Sequence, residues 1–146
     1  MSVDINESLM KLLKSISLQE IKPITFHSDT LGQMPVAGSQ LQLTWNQSLA
    51  EGDPVSASED TKVFRPKYNF TVSFQESHIF TQESIFVLVF HVNDPATFDE
   101  LWADEELRKV FVEKQLLKTM WPLFRQHVQD GMCRLGMSPV ALPWLL

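Results

Sequence analysis

At 146 residues the chain has the length of one domain, and 44% hydrophobic with 21% charged residues is the composition of a folded globular protein. Its net charge of −6 argues against nucleic acid as a partner, because neutralising phosphates needs a basic face. The longest uninterrupted apolar run, Ile85 to Phe90, is far too short to cross a bilayer, so no membrane insertion is expected.

Residues 1–10 carry Asp4 and Glu7 and lack the apolar run of a signal peptide. They read as a flexible amino-terminal arm of a cytoplasmic chain, with residues 11–146 as a single domain. From Ser15 the pattern is extended. Ile16 and Leu18 share a face, the phase slips to Ile21, and it slips again before Ile24 and Phe26, which predicts bulges. Pro23 cannot donate to a ladder, so this strand belongs at an edge or stops pairing there. Residues 27–40 hold Gly32, Pro35 and Gly38 and read as a long connection. Leu41, Leu43 and Trp45 alternate with polar residues in a half-buried second strand. Residues 50–62, with Gly52 and Pro54, read as an exposed loop.

Tyr68, Phe70, Val72 and Phe74 alternate with polar neighbours and predict the third strand. Residues 76–83 form the next turn. Ile85 to Phe90 is apolar on both faces, whereas an antiparallel sheet usually packs one face on its core. A second cover is therefore required: another subunit, a crossing helix or a hydrophobic ligand. After Asn93-Asp94-Pro95, Phe98, Leu101 and Trp102 suggest a helical turn, and Asp104 caps the next helix ahead of Glu105 and Glu106. Leu117, Trp121, Phe124, Val128, Met132 and Leu135 recur at helical spacing. Pro122 predicts a kink or a helix restart near Lys118, and Gly136 with Pro139 ends the helix. Strands grouped before helices give an α+β fold: a four-stranded antiparallel sheet with a long kinked helix and short helical segments on one side.

The residues of a catalytic or metal centre are not assembled by this pattern. His27, His78, His91 and His127 show no metal-ligand spacing, and the one cysteine, Cys133, has no partner and reads as a small buried hydrophobe. No nucleophile elbow, P-loop or dinucleotide fingerprint occurs, so no enzyme, metal or cofactor is expected.

The segment Trp121-Pro122-Leu123-Phe124-Arg125, followed by Gly136, Pro139 and Leu142-Pro143-Trp144, resembles the carboxyl half of the SecB-type protein-export chaperones. Ser15-Ile16-Ser17-Leu18-Gln19-Glu20-Ile21 is similar to that family's first strand. Three departures mark a divergent member: Ile24 stands where the family has a second acid, His91 to Pro95 replaces a Gly-rich stretch, and the family's acidic, metal-linked carboxyl tail has no counterpart in this sequence. The resemblance implies an ATP-independent holdase of the bacterial cytosol that binds unfolded or preprotein clients in hydrophobic grooves. It implies a dimer of dimers as the homo-oligomer, with Ile16, Leu18, Ile85, Val87, Val89, Leu117 and Phe124 at interfaces. Met34, Val36, Trp45, Phe74, Trp121, Leu142 and Trp144 would line the client groove. Glu20, Gln75 and Glu76 would face the preprotein translocase motor. The alternative is an adaptor on the same fold dedicated to one partner, such as an antitoxin; a small enzyme or ligand carrier ranks last.

Overall fold

The computed structural model describes residues 3–140 and Leu142. In place of a frayed arm, helix α1 runs Val3–Ser15. Ile5, Leu9 and Leu12 lie on one helical face, and Ile5 and Leu12 are buried. Ser15 Oγ caps the end by donating to Leu12 O at 2.7 Å. The strands are β1 Ile16–Thr30, β2 Gln42–Leu49, β3 Val55–Ser58, β4 Thr61–Phe64, β5 Pro66–Phe74 and β6 Ser77–Val92. They form one sheet in the order β2-β5-β6-β4-β3, with β1 also paired to β6.

Six strands stand where four are expected because β3 and β4 form in and just after the expected loop over residues 50–62. Phe64 lies opposite Leu88 and Lys67 opposite Ile85, so β4 and β5 keep one register on β6 and break only at Arg65. The break is held locally. The buried carboxylate of Asp53 accepts from the Arg65 backbone N–H, and from its Nε at 2.9 Å and Nη2 at 2.7 Å. The expected loop over residues 50–62 contains β3 and the start of β4, which pair as a short hairpin with a bulge between Ser56 and Ser58. A second bulge follows Val72: Val72 faces Phe80, but Ser73 faces His78, leaving Ile79 as the extra residue. The expected 76–83 turn shrinks to Gln75 and Glu76, both at positive φ.

Helix α2 (Pro95–Trp102) starts on Asp94, whose side chain accepts from Thr97 N, and α3 (Glu105–Val110) starts on Asp104 as expected. A π-helical segment, Phe111–Leu116, links α3 to α4, Leu117–Arg134. The α-helix thus restarts beside Lys118. Helix α4 ends in two reversed bonds, Gly136 N to Cys133 O and Met137 N to Met132 O, with Gly136 at φ 73°. Cys133 is exposed and not a core residue. No helix of the described residues is long and apolar enough to cross a membrane.

The chain divides into two compact units. The first comprises residues 1–22, 50–65 and 87–119. Phe64 is its hub, with ring centroids of Phe90 at 5.5 Å, Trp102 at 5.5 Å and Phe111 at 5.7 Å. The second comprises residues 23–49, 66–86 and 120–146. There Tyr68 stacks on Phe124 at 5.0 Å, and Phe124 meets Phe70 at 6.1 Å. Each such fully buried ring contributes about 1.5–3 kcal/mol through area alone. Tyr68 keeps its hydroxyl satisfied by donating to Gln47 Oε1 at 2.6 Å, and burial raises its pKa well above the usual phenol range.

Candidate functional site

Two furrows of the second unit gather around the segment that follows α4. The chain after Thr30 makes a loop tightened at Val36 by Ser39, whose N–H (3.1 Å) and Oγ (2.7 Å) both donate to the Val36 carbonyl. Gly38 at φ 89° allows that reversal. The turn thrusts the Val36 side chain outward, 82% exposed. Across from it the stop at Gly136 directs Met137 inward, where Thr30 Oγ1 donates to its sulfur at 3.6 Å. Ser138, Pro139 and Val140 then run along the loop. Between loop and tail lies a furrow of about 240 Å³ lined by Met34 to Ser39, Leu41 and residues 138–140.

Pro139 and Val140 also wall a second furrow, of about 360 Å³, completed by Leu142 and by Pro122, Arg125, Gln126 and Gln129 of α4. The tail is thus a rib with an apolar trough on one side and a polar trough on the other.

Of the groove residues expected from sequence, Met34 and Val36 meet in the apolar furrow and Leu142 lines the polar one, its own side chain buried. Trp45 and Trp121 form a separate pair, tilted with centroids 5.1 Å apart. Trp45 is 36% exposed, whereas Trp121 is buried against Phe124 and presents little surface to a ligand. Phe74 lies past the bulge at Ser73 and is half-buried. Trp144 lies outside the described residues. Glu20 is exposed and paired with Lys22 at 3.1 Å, and Gln75 and Glu76 are exposed at the β5–β6 turn.

The residues expected at interfaces fall into three groups. Ile16 and Leu18 line an apolar pocket of about 180 Å³ in the first unit, with Leu13, Phe90, Phe111 and Leu116. Ile85, Val87 and Val89 are half-exposed, because Phe86, Leu88 and Phe90 take the core side of β6. Leu117 is half-buried, but Phe124 is fully buried inside the second unit and offers nothing to a partner. Two residues without any expectation join Val89: Val55 pairs with Val63 and Val63 with Val89, so an apolar ladder crosses three strands on the face opposite the helices. The signal was there in the alternation of Val55 and Val63, masked by Glu59 and Asp60 at the hairpin tip.

Polar convergence is weak elsewhere. Among the described residues no group of three or more His, Cys, Asp or Glu side chains is placed to hold a metal ion.

Comparison with known proteins agrees with this architecture. No protein-family model and no curated protein sequence matches the chain. A solved structure of the Rv1957 SecB-like chaperone of Mycobacterium tuberculosis, in complex with a ChAD peptide from the Rv1956 HigA1 antitoxin, superposes with a TM-score of 0.73. The alignment covers 98% of this chain and 100% of that one at 19% identity, which shows a shared fold. A protein of unknown function from Streptococcus agalactiae gives a TM-score of 0.39 at 10% identity, over 88% of this chain and 97% of that one. That weaker likeness carries no weight.

Proposed function

We propose that this chain, which has the SecB-like fold, is a divergent SecB-like protein that holds an extended segment of one dedicated partner polypeptide. An antitoxin segment is the class of partner that the similar mycobacterial chaperone is solved with. The observation that carries the reading is the apolar furrow with Val36 thrust into solvent beside Met34, Pro139 and Val140. One exposed valine needs no explanation, but here it borders a furrow whose lining includes Met34, Pro35, Leu41, Pro139 and Val140, and a bound chain would cover that patch as a whole. The role is non-catalytic: capture of an unfolded segment stabilises the complex by mass action and needs no cofactor. A cytoplasmic setting and assembly as a dimer of dimers belong to the same proposal, as does a translocase-motor contact through Glu20, Gln75 and Glu76.

The test is affinity purification of the full chain from its own host, with mass spectrometry of what comes with it. One abundant partner, held by the native chain and at least tenfold depleted by Val36→Asp, is the expected result; tenfold corresponds to about 1.4 kcal/mol, within what burying one valine supplies. A heterogeneous mixture of unfolded proteins, retained in equal measure by both chains, would replace the adaptor with a general holdase. Recovery of neither, together with no suppression of aggregation at stoichiometric amounts, would sink both.

A further inference from the structure

His127 does nothing in the reading above, yet its surroundings in the second unit are unusual. The imidazole lies between two phenylalanines, with ring centroids 5.2 Å from Phe26 on β1 and 4.8 Å from Phe86 on β6. The Arg134 guanidinium covers Phe26 at 5.1 Å. Nδ1 of His127 is buried with no hydrogen-bond partner among the described residues. A furrow of about 280 Å³, lined by Pro23 to Phe26, His127, Asp130 and Arg134, opens beside the ring.

We propose that the Phe26–His127–Phe86 sandwich is a pH-sensitive latch, fastening the second half of β1 to helix α4 while the imidazole is neutral and loosening when it is protonated. The charged groups that line the furrow with the ring are Asp130 and Arg134, both on its own helix; β1 contributes Pro23 to Phe26 there, and β6 packs Phe86 against the ring. No acceptor for a charged Nδ1–H comes from either strand. Burial holds the ring's pKa below the usual histidine range; Asp130 opposes that and Arg134 adds to it. Asp130 is also engaged, accepting from Gln126 Nε2 at 2.9 Å. An imidazolium would gain a cation–π contact with Phe86, but Phe26 already carries Arg134, and the unmatched buried N–H is the larger cost.

The sign follows from linkage. The unfolded or unlatched chain takes up the proton first, so the stabilisation is complete above about pH 6.5 and is lost as pH falls below it. What loosens is the strand segment that carries Ile24, an exposed apolar residue.

The experiment is amide hydrogen exchange on the full chain at pH 7.5 and pH 5.5, corrected for intrinsic rates, with the His127 ring followed by NMR titration. Amides of Thr25 to Thr30 should lose protection several-fold at the lower pH in the native chain, while His127→Phe, which keeps a ring in the sandwich but binds no proton, should hold its protection. Equal protection at both pH values in the native chain would overturn the latch, as would the same acid loss in His127→Phe. If that variant does not fold, the titration decides alone: a ring that titrates at or above the ordinary histidine range would refute the proposal, and a depressed one accompanied by strand opening would uphold it.

Discussion

Gly131 is the residue whose replacement reads out the packing of α4 on the sheet. A Cβ there would fall on Gln82 Oε1 and within 2.8 Å of Ser28 Oγ. Gln82 cannot swing aside freely, because it is buried, accepts from Ser28 Oγ at 3.0 Å and donates to Ser84 Oγ at 3.1 Å. The glycine therefore makes room for a polar chain that links β1 and β6 beneath the helix. Alanine is the better helix former by about 1 kcal/mol. Overpacking costs about 1–3 kcal/mol, and loss of a buried hydrogen bond adds to it. Gly131→Ala should accordingly lower the unfolding free energy by about 1–2 kcal/mol net of these terms despite its helix propensity, read as a lower urea midpoint. The double variant Gly131→Ala with Gln82→Ser, which frees the space, should recover part of the loss. A midpoint raised by the full propensity gain in the single variant would mean that Gln82 moves without cost.

Among the elements, the long helix shows how far hydrophobic spacing alone reaches. One buried stripe runs Leu107, Phe111, Leu116, Met120, Phe124, Val128 and Met132, with Trp121 and Gly131 buried beside it. Every step is four residues except Phe111 to Leu116, which is five, and that step is the π-helical segment. The wider turn absorbs one extra residue and keeps the stripe facing the core. Deleting Lys114, exposed inside that segment, should convert it to ordinary α-helix and leave the melting temperature within a few degrees of the native value. Deleting Gln129, equally exposed, turns a four-residue step into three, rotates Met132 off the core and should abolish the cooperative transition in a circular-dichroism melt. If both deletions behave alike, the π segment is not a phase corrector. The sequence made the later part of this stripe, the strand at Tyr68 and the Asp104 cap legible, since periodicity and cap chemistry are local, whereas Asp94 reads only as the end of a strand. Helix α1 escaped because its apolar face is only Ile5, Leu9 and Leu12 among polar neighbours. The furrow was half legible: Met34 and Val36 stand out as apolar residues in a Gly- and Pro-rich connection, but that the tail would lie along them depends on where α4 ends in space. Trp121 misled for the opposite reason, because an aromatic on a helix carries no mark of whether it faces core or client.

For the molecule as a whole, the question is what covers the face of β6 that its own helices do not. Val55, Val63, Val87 and Val89 present an apolar strip on that side of the first unit, each half-buried or exposed. Isolated surface valines need no explanation, but a ladder of paired ones on a sheet face forms a contiguous apolar patch, and we propose that a partner covers it. A second copy is one of the three covers that the two-faced pattern of Ile85 to Phe90 allows, with a crossing helix and a hydrophobic ligand, and it is the one we propose. In a two-fold interface Val87 and Val89 would count twice. Half of the full burial value for each gives about 3–6 kcal/mol in all, roughly a hundredfold to ten-thousandfold in the dissociation constant. The double variant Val87→Asp with Val89→Asp should therefore run in light scattering at the protomer mass of 16.8 kDa, at concentrations where the native chain runs as a multiple of it. Trp45→Ala, in the second unit and outside the strip, should leave that multiple unchanged. A native chain that stays at 16.8 kDa at all accessible concentrations would show that the strip serves a different protein, and self-association would have to be abandoned.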